Sequence, residues 1–205
     1  MDIQEIEQFI LDAGSDSLAV FGGAYEGGAH IQQVPDEIAR CILALLESGE
    51  SIKSYLEIGV AAGGTTFVLN HFFGFEKIVL IDDNGHPKHR LRGQILKDVQ
   101  REEIIGNSHM ILPDILTPRM DRFDLIVIDG DHSYKGVKAD FEHCLPMLNK
   151  GGFLVFHDTA HRLWGCDVPE FVGQLESDER VELVGEYIST KRMPCGLALF
   201  RKVAE

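Results

Sequence analysis

Apolar residues recur along this chain in two rhythms, a helical one near the start and a strand-length one from residue 54 onward. Ile3, Ile6, Phe9 and Ile10 fall at helical spacing, which predicts a helix over residues 2–13 with one apolar face. A second helix is predicted from Pro35, since proline is tolerated in a first turn, with Ile38, Cys41, Ile42 and Leu45 as its buried stripe. Short apolar runs then follow at residues 55–58, 77–81, 109–112, 124–128 and 152–156. Such runs separated by helical stretches predict a parallel sheet with crossover helices. Between the last two runs, Val137, Phe141, Leu145 and Leu148 share one side of a helix that residues 149–152, Asn-Lys-Gly-Gly, bring to a stop. The tail differs. Residues 181–188 and 196–202 are strand-like, and the short segment joining them, which contains Pro194, leaves no room for a helical crossover, so these two strands are predicted to be antiparallel.

No linker divides the 205 residues, so one domain is expected over 1–205: a helical and lid segment (1–50) followed by an α/β core (51–205). The glycine-rich stretch 21–30 fits either a lid or a plain flexible loop. A net charge of -14 disfavours a nucleic-acid partner, because phosphate binding depends on lysine and arginine. The basic patch ending in Arg92 reads as a solvated helix start. Cys41, Cys144, Cys166 and Cys195 form no C-x-x-C pair and read as reduced thiols. With no basic leader before an apolar run and no stretch near ~18 apolar residues, no membrane association and a cytoplasmic location are expected.

The first strand runs into a glycine-rich turn, Ile58-Gly59-Val60-Ala61-Ala62-Gly63-Gly64, where a ligand would lie outside the carboxyl end of the sheet. Ala61 stands where a dinucleotide fingerprint needs glycine, which weakens an NAD reading. Glu57, just before the turn, opposes a pyrophosphate and suits a cationic amino group. The second strand ends in Asp82-Asp83, at the spacing where ribose hydroxyls are held, with Asp82 the first choice and Asp83 the reserve. Asp114, after the third run, is a candidate acceptor for an adenine amino group or a turn cap. Asp129 follows the apolar run 125–128, where a charge is costly unless used or solvated. Asp131, His132, His157, Asp158 and His161 belong to the same sheet edge, and if the fourth and fifth strands adjoin, about 4.8 Å apart, Asp129 and Asp158 could face one cation. His71, His86, His89, His109 and His143 read as surface or structural residues.

The run Phe123-Asp-Leu-Ile-Val-Ile-Asp129-Gly-Asp131-His132-Ser-Tyr134, with Asp140, Leu145-Pro146 and Gly151-Gly-Phe-Leu-Val-Phe-His157-Asp158-Thr159, resembles the class I S-adenosylmethionine-dependent methyltransferases. Within them it is most similar to the small methyltransferase 24 family, related to metal-dependent O-methyltransferases and to cephalosporin-hydroxylase-like proteins. The resemblance covers residues 54–202 and implies a Rossmann-like, doubly wound seven-stranded sheet of order 3-2-1-4-5-7-6 with the last strand antiparallel. It implies S-adenosylmethionine as cofactor, with Glu57, Gly59, Ala61 and Gly63 at the methionine end, Asp82 or Asp83 at the ribose and Asp114 at the adenine. Asp129 and Asp158 match metal-ligand positions, while His157 stands where relatives commonly carry a carboxylate. Asp129, His157 and Asp158 are thus the candidate ligands of a divalent cation, magnesium, manganese, iron or zinc. Asp129 and His132 are the candidate catalytic residues, His132 as base unless a metal lowers the acceptor's pKa instead. The expected reaction is O-methylation of a small hydroxylated molecule, and the N-terminal helices could pair two subunits into a homodimer. A non-catalytic cofactor-binding module and an NAD-binding oxidoreductase are the competing readings.

Overall fold

The computed structural model of the chain describes residues 1–15, 28–160 and 166–203. Strands β1 (Ser54–Ile58), β2 (Lys77–Asp82), β3 (Glu102–Ile105), β4 (Phe123–Ile128), β5 (Leu148–His157), β6 (Val181–Tyr187) and β7 (Leu197–Lys202) form a seven-stranded sheet. Their order is β3-β2-β1-β4-β5-β7-β6, with β1 to β5 parallel and β7 antiparallel to both β5 and β6. This is the expected doubly wound sheet. Helices α1 (Ile3–Ala13), α2 (Pro35–Glu47) and α3 (Gly64–Phe73) cover one face. The other carries α5 (Ser108–Ile111), α6 (Tyr134–Met147) and α7 (Val168–Leu175), while the short α4 (Arg92–Ile95) adds Ile95 to the first core beside the start of α3. Along β4, Leu125 and Val127 join the first core, Ile126 and Ile128 the second. Burial on both faces is why the central strands read as unbroken apolar runs.

The third strand is a correction. Residues 109–112, expected as a strand, are helical: the Asn107 side chain caps α5 by accepting from the His109 N–H at 2.8 Å, and the coil widens until Thr117 N–H donates to Leu112 C=O at 2.9 Å. The strand is β3, a largely exposed edge with two glutamates, which no apolar run announces. So short a run as His-Met-Ile-Leu fits a strand or a buried helical turn equally well.

Residues 28–33 form a strap between α1 and α2. Ala29 N–H donates to Ala13 C=O at 2.7 Å and Ile31 N–H to Gly14 C=O at 3.0 Å, which ties the strap to the end of α1. It crosses the start of α3 so closely that a β-carbon on Gly64 would lie 2.6 Å from the Ala29 carbonyl oxygen. At the start of α2, the buried Glu37 carboxylate accepts from the N–H groups of Ser189 and Gly196 at 2.8 and 2.9 Å, which pins the β6–β7 connection. Most of the expected 21–30 loop, together with His161, lies outside the described residues.

Candidate active site

A cavity of about 670 Å³ opens over the carboxyl ends of β1, β2 and β4, and Gly59, Asp82, Asp83, His109, Asp129 and His132 stand on its wall. It lies where the sheet order turns from β1 toward β4, the place ligands take in open α/β sheets. Gly59 has φ 78°, and a β-carbon there would fall 1.9 Å from the Asp129 carbonyl oxygen, so only glycine fits. Ala61 is also left-handed, at φ 46°, which costs roughly 1–3 kcal/mol for a residue with a β-carbon. Two bonds hold it there: its N–H donates to Asp82 Oδ2 at 2.8 Å, and its carbonyl accepts from Arg92 Nε at 2.9 Å.

Asp82 is therefore committed to the turn. Its Oδ2 accepts from Val60 and Ala61 N–H, and its Oδ1 accepts from Asn84 N–H at 2.7 Å and pairs with Arg92 at 2.9 Å. Burial pushes this carboxyl up, but the Ala61 and Val60 bonds and the Arg92 charge outweigh it and hold the pKa below the ordinary range. Three backbone N–H groups and the Arg92 guanidinium thus surround this one carboxylate. Asp83 is exposed beside it on the cavity wall. Arg92, expected to be solvated, is instead 2% exposed, so that reading of the basic patch is corrected.

Two of the candidate cofactor residues, Asp114 and Glu57, are not on the cavity wall. Asp114 is exposed on the turn after α5 and is not on the cavity wall; the residues that reach it from that side are Asn107, Ser108 and His109. The physical reason is the misplaced strand, since the true β3 ends at Ile105 and brings the following residues to the cavity. Glu57 is 1% exposed and faces α3, where its carboxyl accepts from Tyr55 Oη at 2.7 Å and from the Thr66 hydroxyl. Burial raises its pKa to about 8 against those two bonds, and the carboxyl is turned to Tyr55 and Thr66.

The strand-end charges meet at Asp129. The register pairs Ile128 with Phe156, so Asp129 comes level with His157 rather than with Asp158. Its Oδ1 lies 3.0 Å from His157 Nδ1 and 3.3 Å from His132 Nε2, while Gln33 Nε2 donates to Oδ2 at 3.2 Å. Gln33 in turn accepts from the Thr65 hydroxyl at 2.6 Å, which links the strap, the start of α3 and Asp129. Burial pushes Asp129 up, but the His157 charge and the bonds from His132 and His157 prevail and hold it at about 2. The Asp129 bond raises His132 above its ordinary value against burial. His157, despite the opposing effect of burial, is raised well above it by the Asp129 charge and bond. Carboxylates accept, so with Asp129 Oδ1 at Nε2 and Asp158 Oδ2 3.3 Å from Nδ1 the charged His132 ring has an acceptor at each nitrogen; the bond to Asp129 leaves Nδ1 as the nitrogen with the lone pair when the ring is neutral.

As ligands for a hard cation, Asp129, His157 and Asp158 do not fit this geometry. Both oxygens of Asp129 hold N–H donors, and His157 is turned to it as a counter-ion. Among the described residues, the two groups that bring three ligand atoms within 4.8 Å both contain Asp158 and omit Asp129. Gln33 and Arg92 were not legible as site residues, since nothing in their spacing marks them; His86 and His109, read as structural, also reach the cavity wall.

A family model described as a methyltransferase domain matches residues 56–159. An uncharacterised protein of Acanthamoeba polyphaga mimivirus is 28% identical over 133 residues, 61% of this chain, which spans 60% of that relative. The O-methyltransferase TomG from Streptomyces achromogenes, solved in complex with S-adenosylmethionine, superposes with a TM-score of 0.67 at 18% identity, covering 95% of this chain and 89% of TomG. The N-methyltransferase NodS from Bradyrhizobium japonicum does so with 0.59 at 23% identity, covering 80% and 93%. At such identities these two likenesses establish the shared fold. No described helix is long and apolar enough to cross a membrane.

Proposed function

Because the chain belongs to the methyltransferase-domain family matched over residues 56–159, we propose that it moves the sulfonium methyl of S-adenosylmethionine onto a hydroxyl oxygen of a small molecule, with His132 taking the proton. The observation that carries this reading is the Asp129–His132 pair on the wall of the cavity beside the glycine turn. A volume of about 670 Å³ suits a small-molecule site, typically 300–1,000 Å³. Gly59 and Ala61 bring the glycine turn to the cavity wall, the exposed Asp83 faces the ribose hydroxyls while Asp82 shapes the turn, and Asn107 and Ser108 wall the adenine end.

When bound, S-adenosylmethionine supplies a methyl group already activated for displacement. The chain must hold the acceptor oxygen in line with it, and such positioning contributes ~7–11 kcal/mol. Asp129 fixes the His132 ring so that Nδ1 presents its lone pair, and removal of the acceptor proton there contributes about 10²–10⁴-fold. We favour this over metal-assisted ionisation by Asp129, His157 and Asp158, because Asp129 is already bonded through both oxygens. Four free thiols support a reducing, cytoplasmic setting.

The test is calorimetric titration of cofactor-free protein with S-adenosylhomocysteine and, separately, NAD, followed by turnover on a panel of hydroxylated acceptors. Binding of S-adenosylhomocysteine alone, with turnover that falls about 10²–10⁴-fold in His132→Gln, is the expected result. Binding of NAD alone would favour the oxidoreductase. Turnover undiminished in His132→Gln would remove the base.

A further inference from the structure

The side chains around Asp158 are chemically unlike a hard-cation site. His132, Asp158 and Cys166 each bring a ligand atom to within 4.8 Å of the other two, a nitrogen, an oxygen and a sulfur. We propose that these three residues bind a thiophilic divalent cation, zinc being the type case, and that its binding silences the base.

The geometry supports this at several points. His132 Nδ1 and Asp158 Oδ2 are 3.3 Å apart. Two ligands about 2.0–2.1 Å from a tetrahedral ion stand roughly 3.3–3.4 Å from one another, so an ion fits between them with little movement. The other nitrogen of His132 faces Asp129 Oδ1, and a metal-bound imidazole typically gives its second N–H to a carboxylate in this way, which fixes the lone pair on the metal side. The His132 and Asp158 side chains are 39% and 13% exposed and Cys166 is half-buried, so an ion can enter from solvent and keep a water as fourth ligand. A thiol in the set selects against magnesium and calcium, which prefer oxygen, and toward zinc and its neighbours. The second group, His157, Asp158 and Cys195, is poorer: His157 Nδ1 is committed to Asp129, and His157 and Cys195 are only 7% and 8% exposed.

On binding, the Cys166 thiol gives its proton to solvent and the thiolate, the Asp158 carboxylate and the Nδ1 lone pair take the ion. That lone pair is the one His132 needs as a base, so ion and acceptor proton compete for one electron pair. Only this consequence for turnover rests on the proposed methyl transfer; the binding itself does not.

The experiment is a titration of the full chain with Co²⁺, which reports zinc-type sites by a thiolate-to-cobalt band in the near ultraviolet and by visible bands of tetrahedral intensity. The proposal expects one equivalent to develop these bands, Zn²⁺ to displace Co²⁺ and excess Mg²⁺ not to. Cys166→Ser should remove the thiolate band, Asp158→Asn should weaken binding at least tenfold, and Cys195→Ser should leave both unchanged, with the far-ultraviolet spectrum of each variant confirming its fold. No thiolate band, a band that survives Cys166→Ser, or one lost only in Cys195→Ser would overturn it. If the bands form but Zn²⁺ leaves turnover untouched, the ion site stands and it is His132 as base that falls.

Discussion

Replacing Glu57 by glutamine should make the protein more stable, increasingly so as the pH rises. The folded chain holds this carboxyl at a pKa of about 8 against an ordinary 4.5, chiefly because burial penalises its charge. The sign follows from the protons bound: between these values the folded state keeps a proton that the unfolded chain has given up, so the contribution to stability is complete below pH 4.5 and declines until about pH 8. At ~1.4 kcal/mol for each pH unit, the loss is about 3 kcal/mol at pH 7 and about 5 kcal/mol above pH 8. Glutamine does not titrate, and its carbonyl still accepts from the Tyr55 and Thr66 hydroxyls. Urea unfolding of both proteins at pH 5, 7 and 8.5 isolates the effect, because all other groups titrate alike in the pair. The expected gap is below about 1 kcal/mol at pH 5 and widens to several by pH 8.5. A gap that is the same at every pH would mean that Glu57 is ionised in the folded protein, and its use as an anion facing the cofactor would return.

Asp82→Asn breaks a buried ion pair with Arg92 and disturbs the bonds to Val60 and Ala61, so it should cost about 3–5 kcal/mol in denaturant unfolding and abolish S-adenosylhomocysteine binding. Asp83→Asn, at an exposed position, should change stability by no more than about 0.5 kcal/mol while still weakening that binding in calorimetry. Gly64→Ala drives a β-carbon into the strap and should lower stability by about 1–3 kcal/mol together with cofactor affinity, whereas Gly93→Ala, which meets nothing within 4 Å, should raise stability by roughly 0.5–1 kcal/mol; equal effects in thermal unfolding would deny the strap its contact.

What the sequence disclosed follows from which physical signals are local. The central strands carry apolar residues on both faces and announce themselves, and the short spacer before β7 betrays an antiparallel return. β3 stayed hidden because an edge strand with Glu102 and Glu103 buries too little to leave a pattern. At the site, the glycine turn and Asp129 were legible, since a cramped backbone and a charge closing an apolar run are visible in one dimension. Which neighbour Asp129 meets was not. That depends on the β4–β5 register, which selects His157, and on Gln33, which arrives from 96 residues upstream. Arg92 looked solvated for a related reason: a buried arginine shows itself only beside its partner, and Asp82 lies on another element.

The Gln33–Asp129 contact also has a meaning in time. A ribosome adds roughly 5–20 residues per second, so the 96 residues between the two take about 5–20 s to appear. Within that interval α2, β1 and β2 emerge and can begin the first core, while Gln33 still lacks the carboxylate it meets. The nascent chain therefore makes the strap well before its partner on the sheet, and the Gln33–Asp129 contact can form only once β4 has been completed.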